Sequence, residues 1–444
     1  MEKIQMPNPI VEMNGDEMTR VIWENVKQEL ILPYVDVNSL SFDLGAESMA
    51  SSGEAVLSEA AAALSKFGLG VRCASLNSPK IRQGLCLAIR GAAVFKKPIR
   101  LKGINPAIST WKKPVILARQ TQASASEENI RDYALTCFNY ALAEESDLWF
   151  SSREDNAYRK AFDEAFAHEY AEAFEEKGLK YEYVPFPEAS GKALRSEGGF
   201  IWAMSNADSD IAAGFVQGAF SMPAMMLNIT ASPDGKVIYE AAHSTGQRLY
   251  GIYTGGGETS ANSVATILSW TDALKRSAEK DGNRQLKTFA CRMEEALENT
   301  TAAGYITKDM APYAEGAKVL GTFEFIKKVR DFFEGKAVLR EEPEARKAFA
   351  FEASAKPLYA ANTATNDPDD KDLEEMYDAF LDARSYKEKR EILRQIGGRL
   401  TDKMITDFAV SLDVVVDEGS FDKRYLSLMN CLNQMCKFET EGLR

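Results

Sequence analysis

The chain has 444 residues, which at roughly 150 residues per domain is two or three domains' worth. Its 45% hydrophobic and 27% charged residues are the balance of an ordinary soluble globular protein, and the net charge of −13 excludes a general electrostatic footprint for nucleic acid. Only two histidines are present, His168 and His243, which argues against a His-rich zinc site and against a Ser-His-Asp triad.

The six cysteines, Cys73, Cys86, Cys137, Cys291, Cys431 and Cys436, form no CxxC pair and read as reduced thiols. The first residues carry no apolar signal core. Residues 211–232 are uncharged, but Gly214, Gln217, Gly218, Ser221, Pro223 and Asn228 break the run; a buried helix followed by a buried strand is expected rather than a membrane span. The sequence therefore predicts a cytoplasmic protein with no membrane and no nucleic-acid partner.

In chain order, a short strand is predicted at 8–13, then the turn Asn14-Gly-Asp-Glu-Met-Thr-Arg20. A helix through Val21, Ile22, Val26, Leu30 and Ile31 follows. Strand 40–44, helix 54–66 and strand 70–74 continue an alternation that argues for an α/β architecture with a largely parallel sheet. Strand 115–119 leads into a polar loop at 120–128. Helices are predicted at 129–144 and 156–177, with a strand at 180–184 ending in Pro185 and Pro187. Asp234-Gly235 is a hairpin-type turn, and helices at 261–280 and 284–299 have amphipathic periodicity. Beyond Arg340 the composition shifts. Residues 357–370 read as a linker, and four helices are predicted at 371–383, 386–396, 401–415 and 421–438, with Ser385 and Glu388 as a capping box. Residues 346–444 are thus a linker and an all-helical C-terminal module.

Several ordered segments resemble the eukaryotic-type NADP-dependent isocitrate dehydrogenases, of the isocitrate/isopropylmalate dehydrogenase superfamily. They are Val11-Glu-Met-Asn-Gly-Asp-Glu-Met-Thr-Arg20, residues 30–37 and 70–74, and Ser196-Glu-Gly-Gly-Phe-Ile-Trp-Ala203. Glu240-Ala-Ala-His-Ser-Thr-Gly-Gln-Arg248, Gly257-Glu-Thr-Ser-Ala-Asn262, Thr307-Lys-Asp309 and Leu320-Gly-Thr-Phe-Glu-Phe325 follow. The resemblance covers about residues 4–335. It implies a two-domain α/β body with a large domain at 1–90 and 220–345 and a small domain at 91–219. It also implies a homodimer with shared active sites, and a chemistry in which isocitrate is oxidised by NADP and decarboxylated on Mg²⁺ or Mn²⁺.

Matched position by position, the resemblance keeps only part of that machinery. Of three metal aspartates, one matches Asp210; the others fall on Gly214 and Pro187, with Asp208 and Glu188 nearby. The anion clamp maps onto Asn77, Ser78 and Arg82, with Arg90 as a rival for Arg82, and onto Lys96 and Arg119. The catalytic lysine position holds Arg153, and arginine, with a pKa above about 12, does not shuttle protons at neutral pH. The segment carrying the family's tyrosine and its intersubunit clasp is missing. The cofactor positions map onto His243, Ser244, Thr245, Gly246, Arg248 and Asn262, while Leu249 replaces a histidine that helps read the 2′-phosphate. Three readings follow: a family oxidoreductase using NADP or NAD, a non-catalytic relative that binds a nucleotide or small anion, or an enzyme on a different small hydroxy acid handled by Lys96, Arg119 and Arg153. In the second, residues 372–444 would offer a surface to a protein partner.

Overall fold

The strand-rich stretches of the body pair into one sheet of ten strands. In chain order these are β1 Ile10–Asn14, β2 Ser39–Asp43, β3 Leu69–Arg72, β4 Ala93–Pro98, β5 Val115–Gln120 and β6 Asp147–Ser151. They continue with β7 Tyr181–Tyr183, β8 Phe200–Met204, β9 Met226–Ala231 and β10 Val237–Ala241. The computed structural model describes residues 2–339 apart from 53, 54, 77, 122–125, 154–156 and 221–223, and beyond them 376, 379, 380, 383, 385–396, 405, 408 and 428.

Across the sheet the order is β2-β1-β3-β10-β9-β4-β5-β8-β6-β7. The first four strands are mutually parallel, as are the last four; β9 and β4 join the two blocks through antiparallel pairings. Parallel neighbours need crossover connections, and helices supply them. The α/β architecture expected from the alternation is the one observed.

Alternation along the strands sorts side chains onto two faces. One face carries the largest apolar cluster, in which Ile10, Val71, Phe95, Ala118, Phe150, Ile201 and Ile229 meet the helices Glu17–Val26, Glu127–Glu144 and Val264–Asp281. Trp23 and Trp270 lie 5.1 Å apart there, between ring centroids. The other face carries two separate clusters. At one end Val11, Met13 and Ile238 pack under the helices Ala55–Phe67 and Ser78–Ala88. At the other, Leu117, Trp149, Trp202 and Met204 pack under the helices Phe186–Arg195 and Asn206–Phe220.

Several boundaries differ from the sequence reading for local reasons. The first helix starts at Glu17, and its end widens into a π-turn over Lys27–Ile31. The helix expected at 129–144 begins at Glu127 because Ser126 caps it, accepting from the Asn129 amide at 3.3 Å. The helix expected at 156–177 is interrupted by a π-turn, Phe166–Tyr170, which stacks Tyr170 on Phe138 at 4.9 Å. As read, a helix ends at Phe220 and the strand β9 follows at Met226–Ala231, and Gly235 takes a left-handed φ of 81° in the hairpin between β9 and β10. Strands β4, β6 and β8 and the helices Ser78–Ala88 and Phe186–Arg195 were not evident from periodicity. Among the described residues no helix is long and apolar enough to cross a membrane.

Contacts divide the chain into two units, Met1–Glu344 and Ala345–Arg444. In the second, the helix Tyr386–Ile396 has the predicted bounds, and the Glu388 amide donates to Ser385 Oγ at 3.2 Å, one half of the expected capping box. Phe380 stacks on Phe408 at 3.9 Å, and Lys389 Nζ donates to the Phe380 carbonyl at 2.7 Å. The linker expected at 357–370 lies outside the described residues, as does most of the helices expected at 371–383, 401–415 and 421–438.

After β1 the chain turns at Gly15, where a Cβ would lie 1.9 Å from the Ala74 carbonyl oxygen. The Asp16 amide donates to that same oxygen at 2.9 Å, so the backbones must touch. Gly15→Ala is expected to cost about 2 kcal/mol or more in urea unfolding. Gly178→Ala, at a left-handed φ of 65° with nothing within 4 Å, is expected to cost only about 1 kcal/mol. Equal costs would remove the case for an enforced contact at Gly15.

Candidate functional site

Strand register places Arg72, Glu240, Asn228 and Lys96 directly beside one another in β3, β10, β9 and β4. They face the same side as Met13 and Leu117, so this polar row separates the two apolar clusters of that face. A row of charges does not pack under apolar side chains as Val and Leu do, so the two clusters stay apart, and the helix Ser78–Ala88 covers the row with Arg82. Arg72 and Glu240 form a buried ion pair, at 1% and 5% exposure. Arg72 also donates to Ser75 Oγ at 2.9 Å, and Arg82 Nε donates to Glu240 Oε1 at 2.7 Å. Asn228 Nδ2 reaches the same oxygen at 3.2 Å, while Asn228 Oδ1 is buried with no hydrogen-bond partner. Burial pushes the Glu240 carboxyl up. Arg72 first, then Arg82 and the Asn228 amide, outweigh burial and hold it below the ordinary glutamate range.

Of the two arginines that could match the anion clamp, the structure brings Arg82 to the row. Arg90 sits at a left-handed φ of 53°, exposed, 3.7 Å from Asp132. Lys96 belongs to the row itself, and Arg119 lies two residues along the same face from Leu117, about 7 Å further on. Asn77 and the side chain of Ser78 lie outside the described residues; Ser78 begins the helix that carries Arg82.

The expected cofactor residues gather past Glu240, at the opposite end from Arg119. The Thr19 amide donates to the Thr245 carbonyl at 3.1 Å, and the Thr245 hydroxyl donates to Glu17. Gly246, at a left-handed φ of 76°, precedes the helix Gln247–Thr254, whose first turn has no side-chain cap. Ser244 and Arg248 are exposed beside it. His243 shares its Nδ1 with the Ser244 carbonyl at 2.9 Å; its Nε2 is buried without a partner. Burial holds this imidazole below its ordinary range, so it is neutral at pH 7. Asn262 is buried: its Oδ1 accepts from the Val264 amide at 2.9 Å, and its Nδ2 donates to Asp309 at 2.9 Å. Thr307 fixes Asp309 in turn, at 2.5 Å. An uncapped helix start, an exposed arginine and an unpartnered buried imidazole nitrogen fit the phosphates and polar edge of a dinucleotide. Leu249 instead packs against the main core.

Among the described residues the metal positions do not assemble. Arg153 Nε lies 2.6 Å from Asp208 Oδ1, and Ser205 Oγ donates to Asp208 Oδ2 at 3.0 Å. Gly214 is exposed with nothing within 4 Å of its Cβ position, Pro187 starts a helix, and Glu188 is exposed. Asp210 lies in the first turns of the helix Asn206–Phe220; its side chain is outside the described set. Among the described residues no three acidic, His or Cys side chains could together hold an ion. A hard divalent cation wants about six oxygen ligands, and this donor set does not fit one. Asp208, raised by the sequence as a metal ligand, is the partner of an arginine in this structure.

With this geometry in hand, comparison with known proteins decides the lineage. Residues 102–329 match the family described as isocitrate/isopropylmalate dehydrogenase. The chain is 30% identical over 401 residues to the isocitrate dehydrogenase [NADP] of Nicotiana tabacum, covering 74% of this chain and 97% of that protein. The chain belongs to the isocitrate/isopropylmalate dehydrogenase family. A cytosolic isocitrate dehydrogenase [NADP] of Arabidopsis thaliana is 30% identical over 394 residues, 73% of this chain and 96% of its own length. A mitochondrial isocitrate dehydrogenase [NADP] of Saccharomyces cerevisiae is 30% identical over 377 residues, 70% and 88%. About a quarter of this family member lies outside these matches.

Sequence reasoning did not single out Arg72, Asn228, Glu240 or Asp309. The first three had a signal: each is a polar residue breaking an otherwise apolar strand, in Leu-Gly-Val-Arg72, Met-Leu-Asn228-Ile-Thr and Val-Ile-Tyr-Glu240. Glu240→Ala is expected to cost about 3–5 kcal/mol, because Arg72 would stay buried and unpaired, whereas Arg82→Ala, at a half-exposed position, is expected to cost under about 1 kcal/mol. Because the folded carboxyl titrates below its unfolded value, its stabilisation is present above about pH 4.5 and is lost as pH falls through the folded value. Glu240→Gln should flatten that part of an acid-unfolding curve; an unchanged curve would contradict the assignment.

Proposed function

We propose that this chain is a dinucleotide- and carboxylate-binding member of the family in which metal-dependent oxidative decarboxylation of isocitrate is absent or very weak. The observation that carries the reading is the Arg153–Asp208 ion pair. It puts a group that cannot exchange a proton near pH 7 at the family's lysine position, and it commits the one described buried carboxylate near the metal positions to that guanidinium. The charged row and the intact loop around His243 support retained binding. A dinucleotide, when bound, supplies a hydride acceptor; His243, Ser244, Gly246 and Arg248 would hold its phosphate-bearing half. The relatives' names favour NADP. The inward packing of Leu249 leaves no imidazole for a 2′-phosphate and keeps NAD within reach. Retention of Lys96 and Arg119 beside the row favours one further reading, an enzyme acting on a different small hydroxy acid.

Arg153 stands five strand spacings from Glu240, roughly 24 Å, too far for one small acid to touch both. A homodimer with sites shared between copies would account for that distance. The helix Asn206–Phe220 offers it an uncovered face at Gly214 and Gly218. We place the protein in the cytoplasm, as the name of the Arabidopsis relative favours, and assign residues 372–444 to a protein partner.

With isocitrate, NADP and either Mg²⁺ or Mn²⁺, NADPH formation is expected to stay at background; robust turnover would refute the proposal. Calorimetric titration with NADP and NAD is expected to give saturable heat, and Arg248→Ala should weaken it about tenfold by removing a charge-assisted phosphate contact. No heat with either dinucleotide would reduce the loop to a structural relic.

A further inference from the structure

The pairing of Arg153 with Asp208 has a meaning beyond the loss of one catalytic lysine. Asp208 is 4% exposed, just past the end of β8, and Arg153 follows the end of the adjacent β6. Both are therefore at the carboxyl ends of parallel strands, where open α/β sheets place ligands. Asp208 is held from both sides, by Arg153 Nε on one oxygen and by Ser205 on the other. The guanidinium lies over the Phe186 ring, 5.5 Å from its centroid, which fixes its plane, while the side chain remains about half exposed. Next to it Ser152 Oγ and Tyr183 Oη are 3.2 Å apart, and Arg159 stacks on Tyr183 at 4.0 Å. Ser209 Oγ, one residue beyond Asp208, is buried with no hydrogen-bond partner.

A divalent cation here would have to displace an always-charged group from a buried carboxylate, and no described neighbour supplies the further anionic oxygens it needs. We infer that the Arg153 guanidinium is a built-in cation that takes the place of a divalent ion at this end of the sheet, with Asp208 positioning it. The site is thereby made independent of Mg²⁺ and Mn²⁺, and the half-exposed guanidinium keeps further N–H donors suited to a carboxylate. This deepens the proposed binding of a small carboxylate and rests on that reading. Its test, however, uses the metal alone.

The full chain is titrated with Mn²⁺ and free ion is followed by electron paramagnetic resonance. The wild type is expected to leave Mn²⁺ free into the millimolar range. Arg153→Lys, which keeps a cation on Asp208, should do the same. Arg153→Asp, which removes the guanidinium at a half-exposed position and puts a second carboxylate beside Asp208, should tighten Mn²⁺ binding at least tenfold, with its thermal transition checked beside the wild type. Tight Mn²⁺ binding by the wild type, or no gain in Arg153→Asp, would overturn the inference. Neither result depends on dinucleotide binding, so failure of the proposed function and failure of this inference are told apart.

Discussion

The buried Arg72–Glu240 pair is the interaction on which the rest of the charged row depends. Two opposite charges in adjacent strands of a ten-stranded sheet stabilise each other only while both are desolvated together, and removing either leaves a buried charge. Arg82 and Asn228 complete the carboxylate's hydrogen bonding from a helix and from β9. The row they form prevents the apolar clusters on either side from merging. One face of the sheet thus has a continuous core, and the other has two cores with a charged row between them.

Across the sheet the candidate positions lie in order. The loop at His243–Gly246 and the uncapped helix after it lie at one end, the charged row with Lys96 comes next, Arg119 follows, and Arg153 with Asp208 stands at the far end. The nucleotide end brings together the residues that the family resemblance assigns to it. The far end has been rebuilt around an arginine: Gly214 and Pro187 contribute no donors, and Asp208 serves the guanidinium. The contrast is physical. Backbone loops that receive phosphates tolerate side-chain drift, whereas a hard-cation site needs each of its carboxylates.

Much of the fold was legible in the sequence, because strands such as Ile10–Asn14 and Val115–Gln120 and helices such as Arg284–Ala302 carry their own periodicity. Strand β4 was hidden because Lys96, Lys97 and Pro98 interrupt it; Lys97 faces the opposite side, where Glu144 holds it at 2.7 Å. Strands β6 and β8 are apolar on both faces, as parallel central strands are, and give no alternation to read. The choice between Arg82 and Arg90 needed the helix Ser78–Ala88 to be placed against β10, a contact between residues 158 positions apart. The role of Asp208 was open for the same reason: nothing in the local sequence ties residue 208 to residue 153.

The central claim is that one charged sheet face, with a dinucleotide loop at its end, is the working surface of this family member. Hydrogen–deuterium exchange of the full chain, with and without a saturating mixture of NADP and isocitrate, tests it most directly. The account predicts slowed exchange in 243–254 and in the strands Ala93–Pro98 and Met226–Ala231, with the helix Arg284–Ala302 on the opposite face unchanged. Protection confined to that opposite face, or none anywhere, would contradict it.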